Sequence, residues 1–368
     1  MQAALDQAAA SPDHPVLAQW ADRVRAAAAA GQGLCLQGGG SKAFHGGEPK
    51  GEPFDTRAYA GIVEYEPSEL VVTARCGTPL AELEAALAAR GQMLPFEPPH
   101  FGPQATLGGM LAAGLAGPRR AQAGAVRDFV LGTRIMDGRG DVLAFGGQVM
   151  KNVAGYDVSR LMAGALGTLG LILEASFKVL PLPPAEATMR FELPQDRAIT
   201  SLNQWAGRPL PISASAWCGD ELTLRLSGAA SAVRAAAEHL GGERLPDEAA
   251  TGFWRAAREQ THAFFHRDAD IALWRLSLPS VTPPLAMPGA TFIEWGGSQR
   301  WIATHADAHT VREAATRAGG HATLFRGGDK SDGVFQLPAP ALMDIHRRLK
   351  AAFDPQRVFN PGRLYPDL

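Results

Sequence analysis

Lys151-Asn152-Val153-Ala154-Gly155-Tyr156-Asp157-Val158-Ser159-Arg160-Leu161-Met162-Ala163-Gly164-Ala165-Leu166-Gly167-Thr168-Leu169-Gly170-Leu171-Ile172-Leu173-Glu174-Ala175-Ser176-Phe177-Lys178-Val179-Leu180 is the stretch on which the reading of the chain turns. A polar turn leads into a short helix, then to glycine at every third position (164, 167, 170), then to an apolar strand that stops before Pro181. Glycine at that density lets backbone come close to a ligand and present its N–H groups, because no Cβ stands in the way. Taken alone the tract is equally a tight helix-to-strand turn. Two more glycine-rich tracts upstream tip the balance toward a site for something polar or anionic.

The first follows the short strand Leu34-Cys35-Leu36 and reads Gln37-Gly38-Gly39-Gly40-Ser41-Lys42. With Asp55 downstream it invites a dinucleotide-fold reading, but the spacing is neither G-x-G-x-x-G nor a P-loop, and the segment up to Pro53 cannot be an apolar helix. It remains a good pyrophosphate nest, with a hydroxyl from Ser41 and a charge from Lys42, unless Lys42 is simply a solvated lysine. The second runs from Pro98 through His100, Pro103, Thr106, Leu107, Gly108, Gly109 and Ala113 to Gly117. Thr106 is placed to cap a helix of small residues whose open N-terminus suits a diphosphate, and close helix packing is the alternative.

At 368 residues, 46% hydrophobic and 20% charged, the chain has enough apolar sequence for two domains. A net charge of −2, with no basic stripe, argues against nucleic acid and acidic lipid. Cys35, Cys76 and Cys218 are widely spaced and odd in number, which fits buried thiols in a reducing cytoplasm and neither an iron–sulfur cluster nor a disulfide framework. The Ala26–Ala30 run follows Asp13, Asp22, Arg23 and Arg25, so residues 14–30 read as an amphipathic helix and not a signal peptide. Nothing in the chain reads as a membrane span.

Ile62–Tyr65 and Leu70–Ala74 read as paired strands, and Thr78-Pro79 as the capped start of a helix with Leu80, Leu83 and Leu87 on one face. Gly124 to Met136 enters a strand, and Asp137-Gly138-Arg139-Gly140 is a hairpin turn into Val142–Phe145. After Pro181-Leu182-Pro183-Pro184 come strands at 188–193, 212–218 and 222–226, with helices up to Trp205 and over 229–240. A second round follows: helix 251–266, strand 271–278, hairpin strands near 292–295 and 301–304, helix 306–318 and strand 322–325. Helices separating strand pairs predict an antiparallel α+β sheet built of two ferredoxin-like halves.

Five signals in order resemble the FAD-binding domain of the vanillyl-alcohol oxidase and p-cresol methylhydroxylase (PCMH-type) family: strand-GGGSK, P-x-A-T-L-G-G, V-R-D-F-V-L-G with its Asp-Gly hairpin, K-N-x-x-G-Y-D, and G-T-L-G before a strand. The ending Phe353-Asp354-Pro355 to Phe359-Asn360-Pro361-Gly362-Arg363 is similar to the segment by which that family returns to its flavin. The implied layout is a two-subdomain FAD-binding domain over 1–182, an antiparallel α+β cap over 183–326 and a returning segment over 327–368. The likeness assigns flavin contacts to Gly38, Gly39, Gly40, Ser41 and Lys42 in the first tract. It adds Pro103, Thr106, Leu107, Gly108, Gly109, Ala113, Gly117 and Gly124 in the second, Gly167, Thr168, Leu169, Gly170 and Ile172 in the third, and Asn360 and Arg363 at the end. Departures from the family pattern stand at Leu166, often Glu, and at Gly114, where others have Asn.

Within the family the resemblance narrows to the flavoprotein subunits of bacterial glycolate-oxidising complexes, on Phe96–Gly102, Ala116–Arg120 and Gly320–Arg326. It implies non-covalent FAD and two partners, a second FAD-binding hydroxyacid dehydrogenase subunit and an iron–sulfur subunit. It also implies a cytoplasmic place, peripheral to a membrane only through those partners. His45 and His100 are the alternatives for covalent attachment. His262, His266, His305 and His309 could pair on metal but lack a third ligand. For chemistry on glycolate the cap offers His321 and Arg326. It lacks the His-rich G-D-G-N-x-H segment of the family's hydroxyacid dehydrogenases, since Gly319-Gly320-His321 has neither the acid nor a second histidine. Two other functions stay open: a self-sufficient FAD-dependent hydroxyacid or alcohol oxidoreductase, and a flavin-stabilised subunit without turnover.

Overall fold

Leu17, Trp20, Ala21, Val24 and Ala27 recur at helical spacing and bury one face of α1 (Pro15–Ala30). The fold, a computed structural model, describes residues 15–147, 157–268 and 270–368. The polar turn Lys151–Tyr156 that opens the deciding stretch lies outside the described residues.

β1 (Leu34–Gln37) and β2 (Glu52–Asp55) pair in parallel, with loop 38–51 as their whole connection. A crossover without a helix is no dinucleotide-fold unit, in line with the spacing. β2 itself escaped the sequence reading, because in Glu-Pro-Phe-Asp only Phe54 is buried and no alternation shows. β3 (Ile62–Glu66) and β4 (Val71–Arg75) form the expected pair, and α2 (Leu80–Ala88) buries Leu80, Leu83 and Leu87. Thr78 does not cap α2. Its hydroxyl accepts the Gly61 N–H at 2.9 Å and donates to the Gly61 carbonyl at 3.1 Å, and Pro79 takes the cap position.

The chain continues through β5 (Gln92–Met93), α3 (Leu107–Ala113), α4 (Arg120–Ala123), α5 (Val126–Phe129), β6 (Val130–Met136), β7 (Val142–Gly146), β8 (Leu171–Lys178) and β9 (Leu180–Pro181). Five strands make an antiparallel sheet in the order β3-β4-β8-β6-β7, and β5 pairs with β9. β8 sits in the middle and is buried from Leu171 to Phe177, on both faces. The β6–β7 turn is held by Asp137, whose Oδ1 accepts the N–H groups of Arg139 and Asp141.

The second half contributes β10 (Ala185–Glu192), α6 (Gln195–Ala206), β11 (Ile212–Cys218), β12 (Glu221–Gly228), α7 (Ala230–Leu240), β13 (Glu243–Arg244), α8 (Asp247–Glu259), β14 (Ala272–Ser277), β15 (Ala290–Glu294), β16 (Gln299–Thr304), α9 (Ala308–Arg317) and β17 (His321–Arg326). Their sheet runs β13-β10-β12-β11-β15-β16-β14-β17. Counting strands within each half gives order 4-1-3-2 twice, mirrored about the β11–β15 seam, which is two ferredoxin-like units fused edge to edge. The expected helix 251–266 is corrected. α8 starts earlier, after Pro246, and stops at Gln260 in the left-handed conformation (φ 55°), followed by a short 3-10 turn at 263–265.

α6, α7 and α9 cover one face of this sheet. The other face meets α8 and the first half, with Leu273, Phe292, Trp301 and Phe325 packed on Ala113 and Leu115. Across the same seam Glu97 binds Arg225 at 2.9 Å and Arg119 at 3.4 Å. Burial pushes the Glu97 carboxyl up, but the two arginines outweigh it and hold it below its ordinary value. The chain then returns to the first half through α10 (Pro340–Phe353), which the sequence reading left as part of a segment; only Met343 and Lys350 are buried, so its apolar stripe is faint.

Candidate functional site

Loop 38–42 leaves β1 and runs against the start of α3. A Cβ built on Gly39 would lie 1.5 Å from the Gln104 carbonyl oxygen, and one on Gly38 2.3 Å from the Thr106 hydroxyl, so only glycine permits the approach. Behind them the tract 164–170 crosses over α3: Gly164 N–H bonds the Leu111 carbonyl and Leu166 N–H that of Ala112. The three tracts thereby wall one cleft.

Gly38, Gly39, Gly40, Ser41, Lys42, Thr106, Gly108, Gly109, Ala113, Gly167, Gly170, Ile172, Asn360 and Arg363 all line it. Cys35, Gln37, Thr56 and Cys76 line it too, none of them expected there, and so does Leu166, noted as a departure from the family pattern. Six expected residues are not on its wall. Leu107 is in the core, and Thr168 is buried with its hydroxyl donating to the Ala165 carbonyl. Leu169, Pro103 and Gly124 stand off the cleft, and Gly117 lines a smaller cavity at the seam.

Accounting for backbone donors separates walls from binding groups. At the start of α3, Leu107 N–H donates to Thr78, Gly108 N–H to Cys76, and Gly109 N–H to the Thr106 hydroxyl that caps the helix. The open helix N-terminus expected there is therefore closed, because β4 and the turn after it supply carbonyls. In the other two tracts, the N–H groups of Gly38 to Lys42, and of Gly167, Leu169 and Gly170, donate to no described residue. Consecutive unspent amides of this kind form an anion nest.

Asn360 and Arg363 line the cleft and also bind the chain around it. Asn360 Oδ1 accepts the Leu36 N–H at 2.7 Å and its Nδ2 donates to the Leu166 carbonyl at 2.6 Å, so the side chain staples β1 to the third tract. Arg363 spends its guanidinium on the carbonyls of Ala43, His45 and Gly47. The C-terminal segment clamps the loops that form the cleft. Lys42 reaches the His100 carbonyl at 3.1 Å and stands over the Phe101 ring; burial, opposed by Glu259, lowers its pKa to about 8, which leaves it largely charged at neutral pH.

Neither His45 nor His100 lines the cleft. His100 pairs with Glu84 at 3.0 Å. His45 is packed among Phe44, Phe325 and Phe335, and its Nδ1 has no partner. Burial, then Arg275, Arg363, Lys330 and Arg326, push the ring down from 6.5 to about 3. Below pH 6.5 the unfolded chain therefore takes up a proton that the folded one refuses, and stability falls by up to about 1.4 kcal/mol per pH unit until about pH 3. His45→Phe is expected to narrow the gap between melting temperatures at about pH 7.5 and about pH 5.5; an unchanged gap would assign the acid loss to other groups.

His321 and Arg326 do not converge. They occupy opposite ends of β17, five residues or about 16 Å apart at strand spacing. A bulge in the pairing with β14 turns Arg326 to the seam, where it lies 4.2 Å from the Phe44 ring and 4.7 Å from that of Phe101. The sequence reading passed over Arg275, which stands between them on β14. Its signal was a lone cation in an otherwise apolar strand.

Comparison with known proteins adds identity to this geometry. Residues 16–146 match the model of a family described as FAD binding domain. Over 335 residues the chain is 51% identical to the glycolate oxidase subunit GlcE of Escherichia coli (strain K12), covering 91% of this chain and 93% of that one. It is 24% identical to the glycolate oxidase subunit GlcD of Bacillus subtilis (strain 168), over 83% and 77% of the two chains. A solved alkyldihydroxyacetonephosphate synthase superposes with a TM-score of 0.65 at 17% identity, over 94% of this chain and 75% of that one, which bears on the fold alone. The architecture is that of a PCMH-type FAD-binding domain with an α+β second half.

Proposed function

The chain belongs to the family of glycolate oxidase subunits, and from that premise we propose that it is the FAD-binding flavoprotein subunit of a complex oxidising glycolate to glyoxylate. The partners in this reading are a second, homologous flavin subunit and an iron–sulfur subunit. The division into a flavin-binding unit over 1–182, a cap over 183–326 and a return over 327–368 belongs to the same reading.

One observation carries it: residues with unspent amides from two distant tracts, 38–42 and Gly167 with Gly170, line a single cleft. The diphosphate would lie on those amides, with Lys42 supplying charge. Thr106, Gly108 and Ala113 would form an apolar and close-fitting wall, and Asn360 and Arg363 would hold the loops in register. Arg326, kept charged although burial and Arg267 bring its pKa to about 10, would stand at the cap end. When bound, the flavin supplies the acceptor for a hydride from the CH–OH carbon. In this reading attachment is non-covalent, since among the described residues neither His45 nor His100 lines the cleft. Among described residues no helix is long and apolar enough to cross a membrane, so any association with one would run through partners.

The test is the visible spectrum of the chain purified alone and then with its partners, before and after glycolate. Yellow protein that releases its flavin on denaturation and bleaches with glycolate in the assembly supports the proposal. Bleaching by the lone chain would favour a self-sufficient oxidoreductase, and flavin that never changes in the active assembly a structural one.

A further inference from the structure

α8 ends on Glu259, with Gln260 beyond it in the left-handed conformation. A carboxylate in the last turn of a helix meets the negative end of the helix dipole, so by itself this position favours a cation. What suits Glu259 to it comes from across the seam. Its Oε2 accepts the N–H groups of His100 at 3.0 Å and Phe101 at 2.8 Å, in the loop before α3. Phe101 is itself left-handed (φ 53°), a conformation that a bulky residue keeps only when its surroundings hold it.

The same two residues receive Lys42 from the other side. Its Nζ donates to the His100 carbonyl at 3.1 Å and to Ser41 Oγ at 3.4 Å, and lies 5.7 Å from the centre of the Phe101 ring. One short piece of backbone thus binds a second-half carboxylate by its N–H groups and a cleft lysine by its carbonyl and its ring. Among the described residues, Glu259 is the carboxylate whose field acts on Lys42: burial lowers the pKa of the amine, Glu259 raises it, and the balance is about 8. The other charged groups around the loop are Arg326 of β17, 4.7 Å from the same Phe101 ring, Glu84 of α2, 3.0 Å from His100 Nε2, and Arg258, 2.9 Å from Glu259.

We propose that Glu259 is a positioning residue for the cofactor site: it fixes His100 and Phe101, and through them it places Lys42 for the diphosphate and keeps that lysine charged. This rests on the flavin reading above and extends it, because α8 lines no part of the cleft and yet belongs to its machinery. Holding the loop alone would not call for a charge at 259, since a glutamine carbonyl could accept the same N–H groups. Lys42 is what the charge serves. A buried amine gives up its proton as pH rises through its folded pKa, and without the carboxylate that loss begins at lower pH. FAD affinity falls with it wherever binding uses the ammonium.

Titration of the full chain, stripped of flavin, with FAD at a series of pH values from about 6 to about 9 reads the link directly. Wild type should bind evenly at first and then lose up to about tenfold per pH unit above about pH 8. Glu259→Gln, which keeps an acceptor for the two N–H groups, should match wild type near the acid end and begin its fall about one pH unit earlier. Glu259→Ala, which loses the acceptor as well, should bind about tenfold more weakly at every pH. Lys42→Arg should be flat across the range, alone and combined with Glu259→Gln, because a guanidinium stays charged. Should Glu259→Ala not fold, the Glu259→Gln profile decides. A Glu259→Gln profile with the wild-type shape, overlaid or uniformly lower, overturns the proposal, as does a wild-type profile that stays flat; both leave the flavin reading standing. Wild-type chain that takes up no FAD overturns the two together.

Discussion

Gly39→Ala empties the cleft: the variant is expected to purify folded but with flavin affinity lower by about a hundredfold. The added Cβ would sit 1.5 Å from the Gln104 carbonyl oxygen and 2.4 Å from its carbon, both backbone atoms that cannot swing aside. Either loop 38–42 or segment 102–105 must retreat, and overpacking of this kind costs about 1–3 kcal/mol. The retreat also misdirects a run of unspent amides, so the loss in binding exceeds the loss in fold. About 3 kcal/mol of binding corresponds to about a hundredfold. Gly252→Ala is the control, a helical glycine whose added methyl would meet nothing within 4 Å, and it should raise the melting temperature slightly and keep full flavin. Flavin absorbance per chain after gel filtration reads both. Full flavin in Gly39→Ala would mean that the loop does not cradle the ligand.

Lys350→Met is expected to be the most destabilising single change outside the cleft. The Lys350 amine is buried and donates to the Thr168 carbonyl at 2.7 Å, the Asp354 carboxylate at 2.8 Å and the Phe359 carbonyl at 2.9 Å. Asp354, wholly buried, also accepts the N–H groups of Val358 and Phe359. Removing the cation leaves a buried carboxylate and two carbonyls unmatched, at about 3–5 kcal/mol. Because Thr168 belongs to the third tract, flavin affinity should fall as well. Lys350→Met combined with Asp354→Asn should recover part of the stability, since no isolated charge then remains. Urea denaturation of the single and double variants beside the unaltered chain measures it, and a double variant no better than the single one would count against an ion-pair origin.

What could be read from residues alone divides along physical lines. The glycines of the three tracts announced themselves, because positive φ and close backbone approach leave a mark in composition; Gly40 (φ 69°) and Gly167 (φ 71°) are examples. Thr106 was legible as a cap because its partner Gly109 is three residues away. Groups spent on distant partners were not legible. The helix start at 107–109 looks open until the carbonyls of Cys76 and Thr78 arrive, and nothing local shows that the Asn360 amide joins Leu36 to Leu166. The spacing of the cap candidates was hidden for a related reason. His321 and Arg326 stood out by residue type, whereas Arg275 comes opposite Trp301 and Thr323 only when three strands pair.

If the chain holds FAD as proposed, amides from two remote tracts receive one diphosphate. A structure of the FAD-loaded chain tests it most directly. Diphosphate oxygens are expected within hydrogen-bond distance of the N–H groups of residues 39–41 and of Gly167 or Gly170. A diphosphate seated instead on the capped start of α3, or anywhere outside the cleft, would contradict it.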